Sequence, residues 1–198
     1  MSEDQRPRPS DAAPLTRLET DELRARKRRR QGFKELPRTP IVIVLDGVEG
    51  SYNHGAIFRL CDALMIERLH LCHAELAQGH RRFIKAARGT YKWVPHSVGE
   101  ETIEVLKRYR ALGYQLIGVE LCEGSISLAE ARFRAPLCLV LGAELKGLSE
   151  QTLALLDHCV ELPSLGMANS MNVAMSAGMV ALNAYQQLMA SAEGGGAP

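Results

Sequence analysis

Residues 41–46, IVIVLD, constrain this chain more than any other segment. Five apolar residues in succession, four of them β-branched, are too few for a buried helix. They are also too continuous for a strand with one wet face. They predict a strand covered on both faces, as parallel sheets require. Residues 137–142 (LCLVLG) repeat the pattern, and 68–72, 114–121 and 159–162 read as further strands. Between them lie segments of helical period at 54–65, 78–89, 100–112, 149–156 and 170–189, with a short helical turn at 128–131. Strands that alternate with helices need crossovers, so the expected class is α/β, a mainly parallel sheet flanked by helices. The order of the strands is not legible in this pattern.

Residues 1–38 differ from the rest. They hold Pro7, Pro9, Pro14 and Pro37 and few large apolar side chains. Thr20, followed by Asp21 and Glu22, marks a helix start. Arg26, Lys27, Arg28, Arg29 and Arg30 fall in its last turns, and Gly32 is a stop. The expected organisation is a basic extension, helical in part or disordered, at 1–38, a domain at 39–190 and a disordered tail at 191–198. The five consecutive cations fit a solvated tail and a nucleic-acid arm equally well.

The net charge of +1 hides this division. Residues 1–38 carry 11 cations against 7 acids, and 39–198 carry 13 against 16. Within the second part, 78–96 holds Arg81, Arg82, Lys85, Arg88 and Lys92 and no acid, interleaved with Phe83, Tyr91 and Trp93. Cations with aromatics suit an RNA backbone and its splayed bases. The plainer alternative is an exposed helix whose aromatics turn inward.

Other classes recede. No apolar run reaches the roughly 18 residues of a spanning helix, and no basic-then-apolar start marks a secretory signal. Cys61, Cys72, Cys122, Cys138 and Cys159 form no C-x-x-C pair. They read as buried thiols of a reducing cytoplasm, with no metal site expected.

Three polar, glycine-bearing segments follow strand ends, where open α/β sheets gather ligands. In 46–59, Asn53 either caps a helix or contacts a substrate, and Arg59 either clamps phosphate or makes a salt bridge. In 142–149 the glycines match part of a phosphate loop, but Leu148 stands where the lysine belongs and Glu144 would repel phosphate. In 162–173 a strand ends and a helix begins, with Asn169 or Ser170 as its cap. Met171, Met175, Met179 and Leu182 then form a stripe that reads as core or subunit interface.

In this order and spacing, the three segments resemble the signature motifs of the TrmH/SpoU branch of the SPOUT methyltransferases. The matching residues are Asn53-x-Gly55-Ala56-Ile57-x-Arg59, Gly142-x-Glu144-x-x-Gly147-Leu148-Ser149 and Leu162-Pro163-x-x-Gly166-x-x-x-Ser170-Met171-Asn172-Val173. Met171 stands where leucine is usual, and Ser164 where methionine is common. The resemblance implies a C-terminal deep trefoil knot, a homodimer, S-adenosylmethionine as cofactor and methyl transfer to a ribose 2′-hydroxyl of tRNA or rRNA. The short basic extension leans this towards tRNA. It also implies that Gly142, Leu162 and Met171 contact the cofactor largely through backbone groups, with Leu141 and Gly147 beside them. Arg59, Asn53, Glu144, Ser170 and Asn172 would form the catalytic set. Arginine stays protonated in proteins, so Arg59 is expected as a cation on phosphate and developing alkoxide rather than as a base. Glu144 is expected to order its loop or bond Asn53. The alternative is an RNA-binding protein on the same fold that transfers no methyl group.

Overall fold

The computed structural model describes residues 16–25, 32–76, 78–167 and 170–194. The run at 41–46 lies inside β1 (Thr39–Asp46), near the centre of a seven-stranded sheet. The other strands are β2 (Ile66–Cys72), β3 (His96–Val98), β4 (Gln115–Val119), β5 (Ile126–Ser127), β6 (Leu137–Gly142) and β7 (His158–Glu161). Their order is β3-β2-β1-β6-β4-β7-β5, and every paired neighbour is parallel. The helices that make the crossovers are α2 (Ser51–Ala63), α3 (Arg81–Ala87), α4 (Thr102–Ala111) and α5 (Glu150–Leu153), and α6 (Val173–Gly194) follows the last strand.

Alternation along the central strands splits the core in two. Ile41, Ile43 and Leu45 join Leu139 and Leu141 on one face, beneath α2, α3 and α6. Val42 and Val44 join Cys138 and Val140 on the other, beneath α4. Four of the five cysteines are buried and all are free, and burial pushes the Cys61 and Cys138 thiols far above their ordinary value.

At the sheet's carboxyl edge, Asp46 accepts hydrogen bonds from the hydroxyls of Thr102 (2.6 Å) and Thr152 (3.0 Å). That carboxylate ties β1 to α4 and α5 and fixes the end from which the first site loop departs.

Several boundaries differ from expectation. Helix α2 begins at Ser51, so Asn53 lies inside its first turn and Gly50 is the cap. Helix α3 is shorter than 78–89, and 128–130 is a turn without helix. Helix α6 starts at Val173 and runs to Gly194, past the boundary expected at 190. Strands β3 and β5 went unseen because they are two or three residues long and lie at the sheet's edges.

Residues 1–36 form a separate unit. Its helix α1 (Thr20–Ala25) starts at Thr20, with the Glu19 N–H bound by the Glu22 carboxylate at 2.8 Å. Arg26, Lys27, Arg28, Arg29 and Arg30 lie outside the described residues, as does the second half of the expected tail, 195–198.

A buried polar network crosses the second core. His70 sits 2.8 Å from Glu100 through Nδ1 and 2.9 Å from the Tyr109 hydroxyl through Nε2. A carboxylate only accepts, so Nδ1 carries the proton and Tyr109 donates to Nε2. Burial lowers the His70 pKa below its ordinary 6.5, against the pull of Glu100. Desolvation alone would raise Glu100, but hydrogen bonds from Ser97, His70 and Arg108 hold it at about 2. Both folded pKa values lie below their unfolded ones, so both groups stabilise the fold at neutral pH and lose that contribution as pH falls. The thermal midpoint should decline below about pH 6.5 as unfolded histidine gains its proton. It should decline further below about pH 4.5, and Glu100→Gln should flatten that lower limb in a calorimetric pH series.

Candidate active site

Asn53 is 8% exposed at the first turn of α2, where both ends of its amide are engaged. Asn172 Nδ2 donates to Asn53 Oδ1 at 2.9 Å, and Asn53 Nδ2 donates to Glu144 Oε1 at 2.5 Å. The carboxylate can only accept, so it sets the orientation of the amide. This is the hydrogen bond that the sequence suggested for Glu144. Asn172 Oδ1 in turn accepts the N–H groups of Ala174 (3.0 Å) and Met175 (3.4 Å), which makes Asn172 the cap of α6. The cap expected at Asn169 or Ser170 is therefore displaced to Asn172. Asn169 itself lies outside the described residues.

His54, missed in the sequence, is buried beneath the same turn. Desolvation lowers its pKa and outweighs Glu144, so the ring is neutral, and its Nε2 donates to the Val48 carbonyl. That bond pins the residues that lead into α2.

Beside Glu144 a cavity of about 500 Å³ opens between the loops that follow β4, β6 and β7. Leu141, Gly142, Gly147, Leu162 and Met171, the five cofactor candidates, all line it, as do Glu144 and Ser170. Its size is that of a small-molecule site. A Cβ on Gly142 would lie 2.3 Å from the carbonyl carbon of Gly147 and 2.6 Å from the Leu148 nitrogen. Only a glycine lets these two backbone segments touch. Glu120 also lines the cavity and accepts the Leu148 N–H at 3.0 Å. It stands directly after a strand, a position that could have drawn notice. Apolar walls suit an adenosine, and the carboxylates of Glu120 and Glu144 favour a cationic sulfonium over a phosphate-bearing nucleotide.

Residues 40–182 match the model of the SpoU rRNA methylase family. The chain belongs to this family. It is 29% identical over 167 residues to a tRNA (guanosine(18)-2′-O)-methyltransferase of Aquifex aeolicus, covering 83% of this chain and 78% of the relative. A crystal structure of an A. aeolicus TrmH/SpoU tRNA modifying enzyme superposes with a TM-score of 0.69 at 27% identity, over 78% of this chain and 79% of that one. The SpoU methyltransferase AviRb from Streptomyces viridochromogenes, solved with AdoMet, gives 0.64 at 25% identity, over 74% of this chain and 59% of that one.

Two features lie away from this cavity. Arg59 does not line the cavity. It is exposed on α2 and lines a second depression with Tyr52, Ala56 and Leu60 of the same helix and Arg82, Lys85, Ala86 and Arg88 at α3. Among the described residues, none of these four cations pairs with a carboxylate. The salt bridge allowed for Arg59 is therefore absent from the described residues. Arg81 and Lys92 are exposed but do not line the depression.

The stripe on α6 is the second feature. Met175, Met179 and Leu182 are exposed, and the core side of the helix is Val173, Ala177, Val180, Ala181 and Ala184. Of the two readings of the stripe, core is excluded for these three residues.

The aromatics of 78–96 correct the stacking expectation. Phe83 is buried, with its ring 5.8 Å from Phe58 and 5.2 Å from Tyr91. Trp93 turns its Nε1 to Asp62 at 2.6 Å. Phe83 anchors α3 to the core and Tyr91 and Trp93 pack after its end, so these rings are spent on packing. No described group of histidine, cysteine and acidic residues is arranged to hold a metal.

Proposed function

We propose that this chain is an S-adenosylmethionine-dependent RNA ribose 2′-O-methyltransferase that acts on tRNA in the cytoplasm. The observation that carries the reading is the chain Glu144–Asn53–Asn172. It joins all three motif segments beside a cavity whose carboxylates suit a sulfonium. The name of the A. aeolicus relative favours tRNA over rRNA.

The cofactor would supply an activated methyl group. The backbone at Leu141, Gly142, Leu162 and Met171 would hold it, with Gly147 closing the floor. Ser170 and Asn172 position the ribose so that its 2′-oxygen faces the cavity. Arg59 grips the neighbouring phosphate and stabilises the oxygen as its proton departs to phosphate or water. Glu144, engaged by Asn53, is kept from repelling the RNA.

In one chain Arg59 and the cavity are apart, and a homodimer resolves the separation. The exposed stripe Met175, Met179 and Leu182, with Leu145, Leu165 and Met167 exposed on the loops around the cavity, supplies an apolar face for a second copy. Adjacent loops from β4, β6 and β7 around one cavity also support a C-terminal trefoil knot. Arg26, Lys27, Arg28, Arg29 and Arg30 with Arg81, Arg82, Lys85, Arg88 and Lys92 supply the phosphate contacts. RNA affinity should therefore fall linearly on a log–log plot against salt, with the slope about one unit shallower for each contact removed.

Nucleoside mass spectrometry of tRNA and rRNA, with and without the gene, tests the reading. A 2′-O-methyl lost from tRNA is expected, and one lost only from rRNA moves the substrate. A folded protein that shows no heat of binding with S-adenosylmethionine ends the enzyme reading.

A further inference from the structure

Tyr52 is 61% exposed, and among the described residues it is the only phenylalanine, tyrosine or tryptophan exposed to that degree. It shares one stripe of α2 with Ala56, Arg59 and Leu60, at helical spacings of four, seven and eight residues. Across from this stripe stand Arg82, Lys85, Ala86 and Arg88. The depression of about 720 Å³ between them thus has Ala56, Leu60 and Ala86 among its lining, and four cations. An aromatic ring left in water beside unpaired cations gains nothing from the fold. It gains from a flat π-system whose attached phosphates meet the cations.

We propose that Tyr52 is the stacking platform for one unpaired base of the RNA substrate. The proposal rests on the reading of this chain as an RNA-acting enzyme and narrows its substrate to single-stranded or splayed nucleotides. Bases inside a duplex have both faces covered by their neighbours and cannot offer one to Tyr52. The platform shares its depression with Arg59, so the stacked base lies beside the phosphate assigned to that cation. It takes the role that Phe83, Tyr91 and Trp93 cannot fill, because those rings are packed inward.

A short oligoadenylate carrying 2-aminopurine, whose fluorescence falls on stacking, reads the contact directly. Wild type and Tyr52→Phe should bind and quench alike. Tyr52→Leu should bind roughly tenfold more weakly, lose the quench and keep its salt slope, since no charge is removed. Lys85→Ala should keep the quench and flatten the slope by about one unit. Tyr52→Leu that retains both affinity and quench overturns the platform. Methyl transfer to total tRNA on the same preparations separates this from the underlying reading. A raised KM with little change in kcat for Tyr52→Leu supports both. Quenching by wild type without any methyl transfer, lost in Tyr52→Leu, supports the platform and overturns the enzyme.

Discussion

Arg59→Ala should lower methyl transfer to RNA by at least about 100-fold while leaving S-adenosylmethionine binding intact, the size of loss seen when one transition-state charge contact is removed. The two halves of that result follow from where Arg59 stands. Its side chain is exposed on α2 and does not line the cofactor cavity, so calorimetric titration of the cofactor should match wild type. No described carboxylate pairs with it, so its removal strands no buried charge and should leave the thermal midpoint unchanged. Turnover near wild type in this variant would remove Arg59 from the catalytic set. The separation of Arg59 from the cavity adds a second outcome. Co-expression with a copy defective only in the cavity should restore activity if the two subunits complete each other's sites. It should restore none if each chain acts alone.

Gly142→Ala should fail in the opposite way. The added Cβ meets only backbone, at 2.3 Å from the Gly147 carbonyl carbon, 2.5 Å from its oxygen and 2.6 Å from the Leu148 nitrogen. No rotamer relieves this, so the turn at 143–147 must lift from the end of β6. That turn is itself braced by a hydrogen bond from Gly147 N–H to the Ala143 carbonyl at 2.8 Å. Forced overpacking of this kind costs about 1–3 kcal/mol, and the floor of the cavity moves with it. Cofactor affinity should fall by roughly 100-fold, which corresponds to about 2.7 kcal/mol. Part of the lost activity should return at saturating cofactor, whereas no cofactor concentration rescues Arg59→Ala. Wild-type affinity in Gly142→Ala would show that the cofactor does not sit against this turn.

The parts of this molecule that were legible are those a single segment determines. Leu137–Gly142 was read to the residue, because a strand buried on both faces leaves an uninterrupted apolar word. The start of α2 was misplaced because Ser51, Tyr52 and Asn53 are polar and read as loop, although they form its first turn. With the helix begun at Ser51, the stripe Tyr52-Ala56-Arg59-Leu60 would have been visible. Contacts that span the chain were less accessible. Glu144 could be guessed as a partner of Asn53, but the Asn172–Asn53 bond joins residues 119 apart, and nothing local announces it. The company Arg59 keeps with Arg82, Lys85 and Arg88 depends on how α3 packs on α2, which no periodicity encodes.

That packing is set at Gly55. A Cβ there would lie 2.7 Å from the Ala86 side chain and 2.8 Å from the Phe83 carbonyl, so the two helices meet without clearance. Close-packed protein is nearly incompressible, and helices in such contact behave as one lever. One arm carries Arg82 and Lys85. The other carries Arg59 and, at its fulcrum, Asn53 moored to Glu144 and Asn172. On the proposed function, a pull exerted by RNA phosphates on the outer arm would be delivered to the moored end. The glycine is the rivet between the two helices.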